Sequence, residues 1–276
     1  MRQFALIGYG AITEELVRCI ERGGELEMLL AVLVRPQRIE EARARAAGRF
    51  TIVDSLEELI ELAPAIVAEC AGHGAMRQYG PDLLAGGIDV LCSSVGALAD
   101  RGFAAQVAKA SADGGGRLWI PSGAVAGIDG LLAARTAGLR EVTYTSIKAP
   151  AAWDGTPGEC LLVGAAREVR TAFFEGSARE AATQYPQNAN VGATVSLAGL
   201  GLDQTRVRLV SDPSATGPLG IIEAEGEFGH MRLEILAYAS PRNPKTSLLT
   251  AHSIYVALRE GICFAAGAEG GGQSGR

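Results

Sequence analysis

Short uninterrupted apolar runs alternate with helical patterns through residues 4–120. Residues 4–7, Phe-Ala-Leu-Ile, read as a buried strand, and 12–20 as the helix after it. Residues 28–34 form a second strand, apolar throughout, as a strand covered on both faces must be. Helices are predicted over 38–47 and 56–62, the latter capped by Asp54 or Ser55. Strands at 65–68 and 88–92 enclose a helix over 76–84. A helix over 103–112 then leads to a strand at 118–120, stopped by Pro121. Strands alternating with helices imply βαβ units and a parallel sheet.

After Gly123 the rhythm changes. Strands are predicted at 141–148 and 205–211, a small-residue helix at 191–200, and a hairpin from 221–227 and 231–238 that turns at Gly229. Strands without helices between them suggest an antiparallel sheet. A last helix over 247–259 follows Asn243-Pro244, opens on hydroxyl residues suited to capping, and is expected to pack back on the first unit. The expected fold is therefore α/β: an N-terminal Rossmann dinucleotide-binding domain (1–122 with 245–266) plus a second α+β domain (123–244). The glycine-rich 267–276 is expected to fray.

The 276 residues suit two modest domains or one large α/β unit, and 48% hydrophobic with 20% charged residues is ordinary for a chain with a large core. A net charge of −6 provides no broad cationic field, which argues against nucleic acid or a membrane surface as partner. Cys19, Cys70, Cys92, Cys160 and Cys263 are scattered and odd in number, so neither a disulfide framework nor a metal site is expected. No export signal or bilayer-length apolar run is found, and a cytoplasmic location is expected.

Gly8-Tyr9-Gly10-Ala11-Ile12-Thr13 lies between the first strand and its helix. Gly8 permits a tight turn, and Gly10 lets the backbone approach a pyrophosphate at the helix N-terminus, flanked by Ala11 and Ile12. Thr13 replaces the third glycine of the usual fingerprint. The second strand ends in Val34-Arg35-Pro36-Gln37-Arg38, with no carboxylate to grip the ribose of NAD. Arg35 is suited to neutralise a 2′-phosphate, so NADP, or dual use with NAD, is expected; solvated arginines at a helix start are the alternative. Later strand ends carry Cys70-Ala71-Gly72-His73-Gly74 and Ser93-Ser94-Val95-Gly96-Ala97, correctly sited for a ligand beyond the carboxyl ends of strands.

With these loops, Pro121-Ser122-Gly123-Ala124, the run from Lys148 to Trp153, Tyr185-Pro186-Gln187-Asn188-Ala189-Asn190-Val191, the run from Ser196 to Asp203, and Asn243-Pro244-Lys245-Thr246-Ser247, the chain resembles the L-aspartate dehydrogenase family. The blocks span nearly the whole chain. The resemblance implies a homodimer and NAD(P)-dependent oxidation of L-aspartate to iminosuccinate, which hydrolyses to oxaloacetate and ammonia or supplies quinolinate synthesis. It implies that Gly72, His73, Ser94, Gly96, Ala97, Ala124 and Asn190 line the cofactor, and that Lys148, Asn190, Lys245 and Thr246 form the substrate end. It also exposes a departure. The family's catalytic histidine stands shortly after an Asp-Pro, and Gly220 occupies that position here. Another group must then move the proton, or the substrate differs, or the chain binds cofactor without turnover.

Among the three histidines, His73 follows a strand end and is a candidate catalytic group beside Lys148, with a surface turn residue as the alternative reading. His230 falls in a hairpin turn. His252 sits among apolar residues of the last helix, where a satisfied core or interface histidine is expected. Asn188 and Asn190 open a helix and could simply cap it. Glu69 and the Tyr185-Pro186 corner have no assigned role.

Overall fold

The computed structural model describes residues 2–240 and 243–266; of Gln187, Ala239, Ser240 and Asn243 to Thr246 the backbone alone is described. The expected tail, 267–276, lies outside the described residues. The first half runs β1 (Phe4–Ile7), α1 (Ala11–Arg22), β2 (Leu29–Leu33), α2 (Ile39–Ala46), β3 (Thr51–Val53), α3 (Leu56–Glu61), β4 (Ile66–Glu69), α4 (His73–Ala85), β5 (Asp89–Cys92), α5 (Arg101–Gly114) and β6 (Leu118–Ile120). The second runs α6 (Ile128–Thr136), β7 (Leu139–Lys148), α7 (Ala165–Glu168), β8 (Thr171–Ser177), α8 (Ala178–Gln184), α9 (Ala189–Ala198), β9 (Arg206–Ser211), β10 (Leu219–Gly226) and β11 (Gly229–Leu236). The chain then returns through β12 (Ala239–Ser240), β13 (Asn243–Ser247), α10 (Leu248–Glu260) and β14 (Phe264–Ala265).

Six parallel strands in the order 6-5-4-1-2-3, with β14 antiparallel at the β6 edge, form the Rossmann sheet. Its strands send alternate side chains to opposite faces, and both faces are covered. Phe4 and Leu6 pack with Leu16, Val17 and Ile20 of α1 and with Ile254 and Leu258 of α10. Ala5 and Ile7 face the other core, with Met76 and Leu84 of α4 and Phe103 of α5. Each fully buried large aliphatic side chain contributes roughly 1.5–3 kcal/mol. The last helix thus packs back on α1 as expected, and Ser55, not Asp54, caps α3.

The second sheet has the order β11-β10-β7-β9-β8. The expected wholly antiparallel sheet is corrected: β7 and β9 are parallel, Thr143 to Lys148 against Arg206 to Ser211. The physical reason is a crossover, since β8, α8 and α9 intervene between these strands and carry the chain back to the starting edge. The hairpin holds, with Gly229 at φ +111°. Val142 and Tyr144 of β7 turn to the core against α6 and α9, while Glu141, exposed, faces away. Among the described residues, no helix is long and apolar enough to cross a membrane.

Candidate active site and cofactor crevice

Two cavities, of about 480 and about 430 Å³, open along the carboxyl ends of the Rossmann strands and share Cys70 and Ala71 in their walls. The glycine turn shapes the first. Gly8 has φ +88°, and a Cβ there would come within 2.5 Å of the Ala71 side chain, so the two loops touch only because residue 8 has none. A Cβ at Gly10 would meet nothing within 4 Å, leaving open space over the start of α1. No side chain caps that helix, so its first amides and the positive end of its dipole face the opening. Thr13 explains the missing third glycine: fully buried, its hydroxyl donates to Gly8 O at 2.8 Å and braces the turn.

The mouth of the first cavity gathers three arginines, two of them paired with carboxylates. Arg38 is paired with Glu41 at 2.7 Å, and Arg45 lies 4.5 Å from the centre of the Tyr9 ring and pairs with Glu14. Arg35 lines the same cavity, exposed, with no ion-pair partner among the described residues.

The second cavity joins strand ends of the Rossmann sheet to the second sheet. Gly72, Ser94 and Ala124 line it from the first, and Lys148, Asn190 and Gly220 from the second. Period-two alternation along β7 brings Tyr144, Ser146 and Lys148 to this wall. The Lys148 ammonium donates to Asn188 Oδ1 and lies 5.0 Å from the Trp153 ring centre. Burial pushes it down from its ordinary 10.5 to about 8. Gly220 pairs with Ser146 in the ladder, and a Cβ on it would approach the Tyr144 hydroxyl to 3.2 Å. Burial pushes that phenol up to about 12, the Ser146 hydroxyl pulling slightly back. No imidazole lines this cavity.

His73 lines neither cavity. Its Nε2 lies 2.9 Å from Asn190 Oδ1, which also accepts the Gly96 amide at 2.9 Å, so Nε2 carries the proton. Gly96 fits between neighbours: a Cβ would come within 2.8 Å of Ala189 and 2.9 Å of the His73 ring. Gly96 and Ala97 line neither cavity, and Asn190 joins α9 to both cofactor-side loops through its oxygen, leaving its amide nitrogen for the cavity. Of the segment expected to bind substrate, Ser247 lines the second cavity; in α10 just after it, Thr250 also lines that cavity and Ser253 accepts the Gly123 amide at 3.0 Å. The side chains of Lys245 and Thr246 lie outside the described residues.

Sequence reasoning passed over Glu69 and Tyr144. The first carried a signal, an acid ending the apolar run Ile66-Val67-Ala68. The second carried a weaker one, the alternation Tyr144, Ser146, Lys148. His252, expected in a core or interface, is exposed at the α1–α10 junction. Its ring nitrogens lie 3.7 and 3.8 Å from Cys19 Sγ, nearly equidistant, so neither lone pair is directed at the sulfur. The nearby Glu15 is held by Arg18 and Arg22.

Comparison with known proteins agrees with this geometry. Residues 129–261 match the family described as aspartate dehydrogenase, C-terminal, and residues 8–121 match the NAD binding domain of homoserine dehydrogenase. An L-aspartate dehydrogenase of Ruegeria pomeroyi is 42% identical over 258 residues, covering 94% of this chain and 92% of that protein. Another, from Cupriavidus taiwanensis, is 39% identical over 94% of this chain and 97% of its own. The fold matches the crystal structure of aspartate dehydrogenase from Thermotoga maritima, with TM-score 0.73 at 24% identity over 95% of this chain and 97% of that one. With a glycine turn, a two-part crevice and this degree of likeness across both halves, the chain belongs to the L-aspartate dehydrogenase family.

Proposed function

We propose that the protein oxidises L-aspartate to iminosuccinate, or runs the reverse reduction, with Lys148 as the proton-handling group. The observation that carries the proposal is Lys148 itself: an amine at the wall of a cavity that Gly220 also lines, depressed by burial to about 8; by the family resemblance, Gly220 stands where an imidazole is expected. The turn at Gly8 and Gly10 and the uncapped start of α1 fit a dinucleotide diphosphate, and Arg35 fits a 2′-phosphate, which favours NADP over NAD. A nicotinamide held in this crevice would supply the hydride acceptor or donor for the substrate α-carbon.

The protein's own residues do the rest. A neutral Lys148 Nζ takes the proton from the substrate ammonium, which readies the α-carbon to lose hydride. The amide nitrogens of Asn188 and Asn190 donate to the substrate carboxylates, and Lys245 and Thr246 complete that end by family resemblance. His73 serves by holding Asn190 through Nε2. Domains of 1–122 with 245–266 and 123–244 are part of the same proposal, supported by two sheets each with its own helices and by matches that break between 121 and 129. So are the homodimer and the cytoplasmic location.

A second reading is favoured by one observation. The Tyr144 hydroxyl beside Gly220 suits a different imine or carbonyl, to which a phenol donates a hydrogen bond. Absorbance in the reduced-nicotinamide band separates the readings. L-aspartate alone among a panel of amino acids, or oxaloacetate with ammonia, supports the first. Turnover of another carbonyl or amine supports the second. Cofactor binding with no turnover overturns both.

A further inference from the structure

We propose that Glu69 is a positioning residue: its carboxylate clips together the two loops that form the nicotinamide side of the crevice. This rests on the dinucleotide reading above.

Glu69 ends β4 and is 0% exposed. Its Oε1 accepts the amides of Ala71 and Gly72, both at 2.7 Å, and the Ser94 hydroxyl at 3.0 Å. Its Oε2 accepts the Ser94 amide at 3.1 Å. Its backbone carbonyl accepts the Ser93 hydroxyl at 2.8 Å. One residue therefore ties residues 71–72, after β4, to 93–94, after β5, across neighbouring strands. Ala71, Gly72, Ser93 and Ser94 all line the second cavity.

Burial works against the charge and pushes this carboxyl up, while the amides of Gly72, Ala71 and Ser94 and the Ser94 hydroxyl pull it back. No cationic side chain pairs with it among the described residues. A buried carboxyl without a cation partner is a costly way to join two turns if holding the fold were its whole task. What this one does is fix the height and tilt of two short backbones relative to each other. The Ser94 hydroxyl, turned onto Glu69, is a strut of this clip.

The clip acts on one half of the crevice. Among the residues it holds, Ala71 alone reaches the adenosine-side cavity. The test therefore compares whole cofactors with their adenosine halves: NADPH against 2′-phospho-ADP-ribose, and NADH against ADP-ribose, by calorimetry on the intact protein. Glu69→Gln keeps the shape but turns an amide nitrogen toward one of the donors. It is expected to weaken the whole cofactor about tenfold, as loss of a charged hydrogen bond does, and to leave the half-ligand within about twofold. An unchanged affinity for the whole cofactor overturns the proposal, and so does a parallel loss of both ligands. If Glu69→Gln does not fold, Ser94→Ala removes the hydroxyl strut alone and must give the same one-sided loss in smaller measure. Wild-type protein that binds neither ligand of either pair would instead overturn the dinucleotide reading.

Discussion

Lys148 makes a signed prediction. Below about pH 8 its Nζ carries a proton, and above that value it does not. Oxidation, which needs Nζ free, is expected to rise through about pH 8, and imine reduction, which needs the proton there, to fall through the same range. Lys148→Met should erase both limbs and lower kcat by roughly 10²-fold or more; pH profiles taken in both directions check it. Gly220 gives a second prediction. A Cβ there requires the Tyr144 ring to give by a few tenths of an ångström, which a side chain can do. Gly220→His should therefore fold, with turnover unchanged or raised, and steady-state kinetics on L-aspartate decide; a large loss would count against Gly220 facing the reacting carbon. Residues with chemistry of their own, such as Arg35, Lys148 and Asn190, were legible as candidates in the sequence. Glu69 was legible only as an acid ending an apolar run, because its role depends on Ser94, which lies 25 positions away and meets it only through adjacent strands. His73 was legible as a candidate but not as a brace, since its partner lies 117 positions on.

Elements were legible where a period ran long enough. The strands β1, β2, β4, β5 and β6 stand out as apolar runs because both faces of their sheet are covered. β3, with three residues, is too short to show a pattern. β8 and α8 were missed although α8 announces itself: Ser177 and Glu180 form a reciprocal box, the Ser177 hydroxyl accepting the Glu180 amide at 3.2 Å and Glu180 accepting the Ser177 amide at 2.8 Å. Missing them hid the crossover that makes β7 and β9 parallel. Ser177→Ala is expected to cost about 1 kcal/mol, read as a lowered urea midpoint with unchanged slope. Because the box lies outside both cavities, cofactor affinity should not move.

At the scale of the molecule, the two sheets meet where α9 reaches the cofactor loops, and Asn190, His73 and Gly96 form the joint. A methyl group on Gly96 has no room between Ala189 and His73. Gly96→Ala should push α9 off the loops, costing about 1–3 kcal/mol as overpacking does. The expected signature is a raised KM for substrate with a lowered melting temperature; an unchanged KM would show that the joint does not shape the site. A second fastening lies nearby, where Asp203 is gripped by both Arg179 and Arg101.

β14 gives the molecule its last mechanical property. The chain leaves the Rossmann layer after β6 and, having built the whole second sheet, re-enters beside it, with Phe264 opposite Ile120. α10, packed on α1, has by then already brought the chain back to this layer, and β14 closes the β6 edge from which the excursion began. A proteolytic nick between residues 261 and 266 would free only β14 from that edge, leaving α10 on α1, so the grip on a ligand held between the layers should survive the cut.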